Sequence, residues 1–335
     1  MTVPGETTEV TARTGSTVGV SVIIVNWNTR AHLQGCLQSV VDHGLRQASM
    51  EIVVVDNGSS DGSREMVRDE WPTIRLLENA ENEGFSRANN RGIRASTGEF
   101  LLLINSDARL RPGALDEMLR VMRSDERAAV VGPRLEFGDG RWQRTTAGRA
   151  PSLRTAINHY LFVDRLGIPH PWFAGLYLSR DVRRAFRPDW VSSACMLVRR
   201  AALEEVGLLD ERFFIYMDDV DLCQRVRDRG WNVWYCPDAR VIHYMSRSSS
   251  EAGGIAPPAA VRAFNAYFAR RYGARRCAAL RAAEVAGFGI RGVALSIAAA
   301  LRPTRIDLVA RARAQWAFCR AGLEPVPSHE EHGRG

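Results

Sequence analysis

Apolar and polar positions fall into alternating blocks along the chain. Val20–Val25 is a β-branched run broken only by Ser21, the pattern of a strand buried on both faces. Leu33, Cys36, Leu37, Val40 and Val41 then recur at helical spacing. Glu51–Val55 predicts a second buried strand, and Asp61 can cap a short helix through Arg68. A third strand is expected at Ile74–Leu77, a helix at Phe85–Ala95 and a fourth strand at Phe100–Ile104. Pro112, at a first-turn position, opens a helix to Met122, and Val130–Gly132 reads as a fifth strand. Strand and helix alternating over short links imply βαβ units, hence an α/β fold with a mostly parallel sheet flanked by helices.

The pattern changes beyond residue 135. Residues 138–190 are irregular and rich in Gly, Pro, Trp and Arg, a composition that suits a lid or a substrate-facing segment. Trp190–Arg199 predicts a strand running into a helix at Arg200–Val206. Asp219–Arg229 is amphipathic, with Leu222, Cys223 and Val226 on one face and Gly230 where a helix stops. Trp231–Tyr235 and Arg240–His243 read as short strands. Gly253, Gly254, Pro257 and Pro258 mark a linker, followed by Arg- and Ala-rich helices. The expected organisation is a flexible tail over 1–19, an α/β domain over 20–252 and a helical region over 253–335.

Composition adds three constraints. With 335 residues and 45% hydrophobic positions, the chain can bury a full core. The formal charge of +7 is concentrated at one end: residues 256–335 carry thirteen Arg against five acids. Every basic residue is Arg, and no Lys occurs. A basic end on a near-neutral domain suits an anionic membrane surface, or a plainly solvated helix. No nucleic-acid motif accompanies the charge, so no nucleic-acid partner is expected. The six Cys include no C-x-x-C spacing, and the opening nineteen residues are polar. Free thiols in a reducing cytoplasm are therefore expected. No run of 18 uncharged apolar residues occurs, so no transmembrane helix is expected. Val285–Leu301, apolar apart from Arg291, fits an interfacial helix, a cap on the main domain or an oligomer contact.

In parallel sheets, ligands bind beyond the carboxyl ends of the strands, so the polar residues there hold the candidate chemistry. Val25 is followed by Asn26-Trp27-Asn28, Val55 by Asp56-Asn57-Gly58-Ser59, and Ile104 by Asn105-Ser106-Asp107. Asp56 can accept from the N3–H of a uracil or thymine ring, with Gly58 admitting the base, or the run is an Asx turn. Asp107 can hold a hard cation that shares phosphate ligands, or cap a helix. Asn82–Gly92 (NEGFSRANNRG) places amides and small residues at a helix start, suited to phosphates and sugar hydroxyls. Asp218, Asp219 and Asp221 crowd a second helix start, where close carboxylates resist joint ionisation. His243 follows a strand and is either a metal ligand or a satisfied core residue. No G-x-G-x-x-G follows the first strand, which argues against a dinucleotide-dependent oxidoreductase.

Taken in order, these segments resemble family 2 glycosyltransferases of GT-A fold, in particular the rhamnosyltransferase-like branch. The match runs through VSVIIVNWN, DNGSSDGS, NEGFSRANNRG, NSD, the Trp190–Arg200 segment, FIYMDDVDLC and His243, and covers about residues 20–250. The resemblance implies a donor half over 20–135 and an acceptor half over 136–252. It implies donor binding by Asn26, Asn28, Asp56, Asn57, Gly58, Gly84, Phe85, Asn89, Asn105 and Ser106. It also implies a divalent cation, Mg²⁺ or Mn²⁺, on Asp107 and His243, and Asp219 as general base. Trp190, Ser192, Ser193, Ala194 and Asp218 would lie on the acceptor side. The implied reaction is inverting transfer from a nucleotide-diphospho-sugar, dTDP-rhamnose by preference, to a glycan or polyprenyl-diphosphate-linked saccharide. The chain departs from the family pattern twice, with Asn105 where an Asp is usual and Asp218 where a Glu is usual. A UDP-hexose or UDP-galactofuranose donor, or a protein that binds nucleotide sugars without turnover, stays open at this level.

Overall fold

A computed structural model describes residues 19–44, 49–168, 170–245, 258–302 and 304–326. Most of the expected tail, and Gly253, Gly254 and Pro257 of the expected linker, lie outside them. The first half runs β1 (Val20–Asn26), α1 (Arg30–His43), β2 (Met50–Asp56), α2 (Ser63–Glu70), β3 (Arg75–Glu78), α3 (Phe85–Arg94), β4 (Phe100–Asn105) and β5 (Ala108–Leu110). It continues through α4 (Ala114–Ser124) and β6 (Ala128–Glu136). After a short strand β7 (Ala147–Gly148) come α5 (Leu153–Tyr160), β8 (Trp190–Val191), β9 (Cys195–Arg199), α6 (Arg200–Val206), α7 (Asp218–Asp228) and β10 (Asn232–His243). Three helices close the chain: α8 (Pro258–Tyr272), α9 (Ala274–Leu301) and α10 (Ile306–Leu323).

The main sheet has eight strands in the order β3-β2-β1-β4-β9-β6-β10-β5. The pairs β3/β2, β2/β1, β1/β4 and β6/β10 are parallel, whereas β9 runs antiparallel to both neighbours and β5 antiparallel to β10. Six strands therefore share one direction, and Asn26, Asp56, Asn105 and His243 end on one rim. Their near-continuous apolar composition follows from burial on both faces. Val22 and Ile24 of β1 pack with Leu33 and Leu37 of α1, while Ile23 points to the opposite layer with Ile93, Leu222 and Val226. The two strands expected at 231–235 and 240–243 are one, β10, with a register irregularity between Cys236 and Arg240 that absorbs Pro237.

The C-terminal helices pack against α5 and α7. Phe264, Phe268, Leu280, Phe288 and Phe318 form one apolar cluster with Ala156 and Tyr160 of α5. Arg270 of α8 pairs with Asp210 and Asp221, and Arg271 with Asp228, tying α8 to α7. Helix α9 is 28 residues long and sufficiently apolar to cross a membrane by length and composition. Its length and composition pass such a test although Arg291 interrupts the apolar run. All six cysteines are free and buried.

Candidate active site

The donor-side residues form a hydrogen-bonded web across three strand ends. Asn26 donates through Nδ2 to Asp56 Oδ2 at 3.0 Å and to Ser59 Oγ at 3.1 Å. Asp56 Oδ1 accepts from the Ser59 N–H at 2.9 Å and from Arg64 Nε at 2.7 Å. Burial pushes the Asp56 carboxyl up, but the bonds from Arg64, Ser59 and Asn26 outweigh it and hold the group below its ordinary range. Thr29 Oγ1 donates to Asn26 Oδ1 at 2.7 Å and lies 2.8 Å from Ser106 Oγ, which joins the β1 and β4 ends. Asn28, at φ 51°, accepts the Ser60 N–H at 2.8 Å. The turn after β2 is thus a true Asx turn, and its carboxylate also faces the β1 end. The two readings of Asp56-Asn57-Gly58 are compatible.

Asn57 and the 82–92 segment are tied into the protein's own hydrogen bonding. Asn57 is buried and its amide is spent within the protein: Nδ2 reaches Asn82 Oδ1 and the Gly84 carbonyl, and Oδ1 accepts from Asn79 and the Glu83 N–H. It clamps two loops. Gly58, at φ 82°, permits that approach, since a Cβ there would meet the Glu81 backbone at 2.7 Å. Asn89 donates to the Phe85 carbonyl at 3.0 Å within α3. Asn90 bonds both the Leu209 carbonyl and N–H, at 2.8 and 3.0 Å. Gly84, at φ 88°, lies against the Phe214 backbone, and the Phe85 N–H donates to the Phe214 carbonyl at 2.6 Å. Helix α3 therefore holds the 209–214 loop in place and, through it, the start of α7.

Tyr216 and Met217, at φ 67° and 68°, turn the chain sharply into α7. Consecutive non-glycine residues in the left-handed region are costly and persist only where their surroundings impose them. This turn puts Asp218, Asp219 and Asp221 in the first helical turn. Asp221 is spent on Arg225 at 2.8 Å and Arg270 at 3.3 Å. Asp218 is 2% exposed, and its Oδ2 has no hydrogen-bond partner. Burial first, and then the charge of Asp219, push its carboxyl up to about 8, against the Ser193 hydroxyl. Burial also raises Asp219, but it accepts the Ser193 N–H at 3.2 Å and the Val220 N–H at 2.8 Å, which favour its charge. Burial raises both carboxyls and each charge disfavours the other, so the pair resists joint ionisation, while the two N–H bonds favour charge on half-buried Asp219.

The segment before β9 joins this pair to the donor side. The Asn105 N–H donates to the Ala194 carbonyl at 3.0 Å, and the Ser192 N–H to the Thr146 carbonyl at 3.1 Å. Trp190, expected on the acceptor side, is a core side chain, 5% exposed, with its indole N–H on the Arg149 carbonyl and its ring against Tyr177. Its size and apolarity settle it between β7 and the 176–177 segment.

Asp107 and His243 meet because β5 pairs antiparallel with β10, His243 opposite Ala108. His243 Nε2 lies 3.4 Å from Asp107 Oδ1. Behind it, Gln143 is fully buried, and its Nε2 donates to the Glu136 and His243 carbonyls at 3.1 and 2.6 Å. Those bonds fix the amide, so Gln143 Oε1, 3.2 Å from His243 Nδ1, can only accept. His243 Nδ1 is then the donor of that bond, and Nε2 is the ring atom turned toward the Asp107 carboxylate. An imidazole nitrogen and a carboxylate oxygen side by side are a donor set suited to a divalent cation, so these residues fit the expected metal. Asn105 Oδ1, buried without a donor, is a further acceptor two residues away. Among the described residues no cluster of three or more His, Cys, Asp or Glu surrounds this pair. Sequence reading missed Gln143, which lies in the irregular 138–190 stretch with no periodic signal. It also missed Arg64 and Thr29, whose roles exist only through contacts across elements.

Residues 21–207 match the family described as Glycosyl transferase family 2. An N-acetylglucosaminyl-diphospho-decaprenol L-rhamnosyltransferase of Mycobacterium tuberculosis is 32% identical over 241 residues, covering 68% of this chain and 76% of that protein. A low-salt glycan biosynthesis hexosyltransferase of Haloferax volcanii, Agl10, is 24% identical over 67% of this chain and 66% of its own length. In fold, the chain is similar to the mannosyltransferase PcManGT of Pyrobaculum calidifontis, solved with GDP-Man and Mn²⁺, at TM-score 0.52 and 18% identity over 92% of this chain and 88% of that one. It is also similar to GalNAc-T7, solved with UDP, GalNAc and Mn²⁺, at TM-score 0.55 and 16% identity over 77% of this chain and 51% of that one. With its GT-A architecture of a mostly parallel sheet between helices, the chain belongs to glycosyl transferase family 2, a glycosyltransferase by fold and by sequence.

Proposed function

We propose that the protein transfers L-rhamnose from dTDP-rhamnose, with inversion, to a polyprenyl-diphosphate-linked saccharide of a cell-envelope glycan, at the cytoplasmic membrane face. The observation that carries this reading is the 32% identity, over 241 residues, to the N-acetylglucosaminyl-diphospho-decaprenol L-rhamnosyltransferase. Ionised Asp219 takes the proton from an acceptor hydroxyl, whose oxygen attacks the anomeric carbon opposite the departing nucleoside diphosphate. Asp218 keeps its proton and so does not compete for the acceptor's. The Ser193 N–H orients Asp219. The Asp56–Asn26 web receives the base and ribose. Asp107 and His243 would hold the cation, which when bound neutralises charge on the diphosphate.

The test is a donor screen over dTDP-rhamnose, UDP-hexoses and UDP-galactofuranose, with Mn²⁺, with Mg²⁺ and with EDTA. Metal-dependent turnover of dTDP-rhamnose alone supports the reading, whereas preference for a UDP-sugar replaces the donor. Asp219→Asn is expected to keep donor binding and lose about 10²–10⁴ in kcat. Wild-type turnover in that variant would remove Asp219 from the role of base.

A further inference from the structure

The first half of α9 belongs to the protein core, whereas the second half leaves it. Cys277, Leu280, Glu284, Gly287, Phe288 and Gly292 are buried, and no residue of α9 beyond Gly292 is. At about 1.5 Å per residue, Gly292 to Leu301 projects by about 14 Å. Along that projection Ile290, Val293, Ile297 and Leu301 recur at spacings of three and four, and all are exposed, Leu301 at 77%. They make one stripe on one helix face. Ile306, 79% exposed, and Val309 continue the apolar surface where α10 begins.

Around this tip the charge is one-sided. Arg302, Arg305, Arg311 and Arg313 are exposed, against a single acid, Asp307, which is paired with Arg305 at 2.7 Å. The Arg291 guanidinium stacks 4.6 Å over Phe162 and donates to the Tyr160 carbonyl, which sets the 161–173 segment beside α9.

We propose that the α9–α10 hairpin tip is a docking surface for an anionic lipid bilayer, inserted into one leaflet. Half the hydrocarbon thickness is about 15 Å, close to the projection of the tip, so the tip reaches the acyl region without crossing. Spanning is excluded by the first half of α9, which is committed to the aromatic cluster with α5, α8 and α10. An apolar stripe collared by Arg is the combination that interfacial insertion requires, the apolar residues entering the leaflet and the guanidinium groups meeting phosphates. A second copy is the poorer occupant, because pairing two tips by symmetry would bring two Arg collars together. The surface rests on the hairpin alone and holds whatever sugar the site transfers; it places the site where lipid-linked saccharides are found.

The test is cosedimentation of the full chain with phosphatidylcholine vesicles, and with vesicles of about one-third phosphatidylglycerol. Wild type is expected to sediment with the anionic vesicles and to be released by salt. Ile297→Glu with Leu301→Glu, both at exposed positions, is expected to lower the bound fraction at least about tenfold. Arg302→Gln with Arg313→Gln lowers it on anionic vesicles only. Circular dichroism checks that each variant keeps its fold. Failure to sediment, or binding that the acidic pair leaves unchanged, overturns the proposal. So does a dimer by light scattering that the acidic pair dissociates while vesicles stay unbound. Sugar transfer is not read in this assay, so its outcome is separate from that of the donor screen.

Discussion

Replacing Gln143 by Leu tests whether the metal pair is oriented from behind. The wild-type amide makes three contacts, two donated to the Glu136 and His243 carbonyls and one accepted from His243 Nδ1. Leucine removes all three at a fully buried position while keeping most of the volume. Two buried carbonyls lose their donor, which costs about 1–3 kcal/mol each where no water replaces it. Loss of the orienting bond behind a metal-ligating histidine typically lowers metal affinity by about 10–100-fold. That range corresponds to about 1.4–2.7 kcal/mol of binding free energy. Urea unfolding without metal reads the first effect. Calorimetric titration of Mn²⁺ into folded protein, with His243→Ala as the reference for ligand loss, reads the second. A less stable Gln143→Leu protein that binds Mn²⁺ with wild-type affinity would refute the reasoning, because Gln143 would then support only the fold.

Two further outcomes follow from the geometry. Burial pushes the Glu284 carboxyl from an ordinary 4.5 up to about 7, against the pull of Asn265, Tyr160 and Arg281, and neither oxygen has a partner of ordinary hydrogen-bond geometry. The folded state thus holds a proton that the unfolded chain releases, so this contribution to stability is complete below about 4.5 and is lost as pH rises through about 7. Glu284→Gln is expected to stabilise the protein at pH about 8 by up to about 3 kcal/mol and to change little near pH about 4, as read by urea midpoints; equal effects at both would contradict it. Gly84→Ala places a Cβ 2.8 Å from the Phe214 carbonyl oxygen in a backbone region open essentially only to glycine. It is expected to cost at least about 2 kcal/mol and to lower transfer with little change in Mn²⁺ affinity, since it displaces the Asp219 side of the site and not the Asp107–His243 side.

The sequence by itself determined the sheet and its covering helices. Val20–Val25, Glu51–Val55 and Phe100–Ile104 are apolar on both faces, and only a covered parallel sheet buries such runs. That topology, in turn, put Asn26, Asp56, Asn105 and His243 on one rim, because a parallel strand must end where its neighbours end. Ordered motifs identified the family for the same reason: they mark strand ends whose spacing the fold imposes. The tertiary structure alone decided how each polar residue is used. Asn57 and Asn89 carry the same amide as Asn105, yet theirs bond within loops and helices while Asn105 Oδ1 is buried without a donor. Asp218, Asp219 and Asp221 are alike in sequence, and only the fold distinguishes buried Asp218, Asp219 with its two backbone N–H donors, and Asp221 paired with Arg225 and Arg270. Trp190 could have faced a ligand or the core, and only packing against Tyr177 chooses the core. Periodicity reports which face of an element is buried, but a hydrogen bond between elements more than a hundred residues apart, such as Asn90 to Leu209, leaves no local pattern. The projecting end of α9 is a case of the same kind. Its apolar residues look like core until the folded molecule shows that nothing among the described residues buries them.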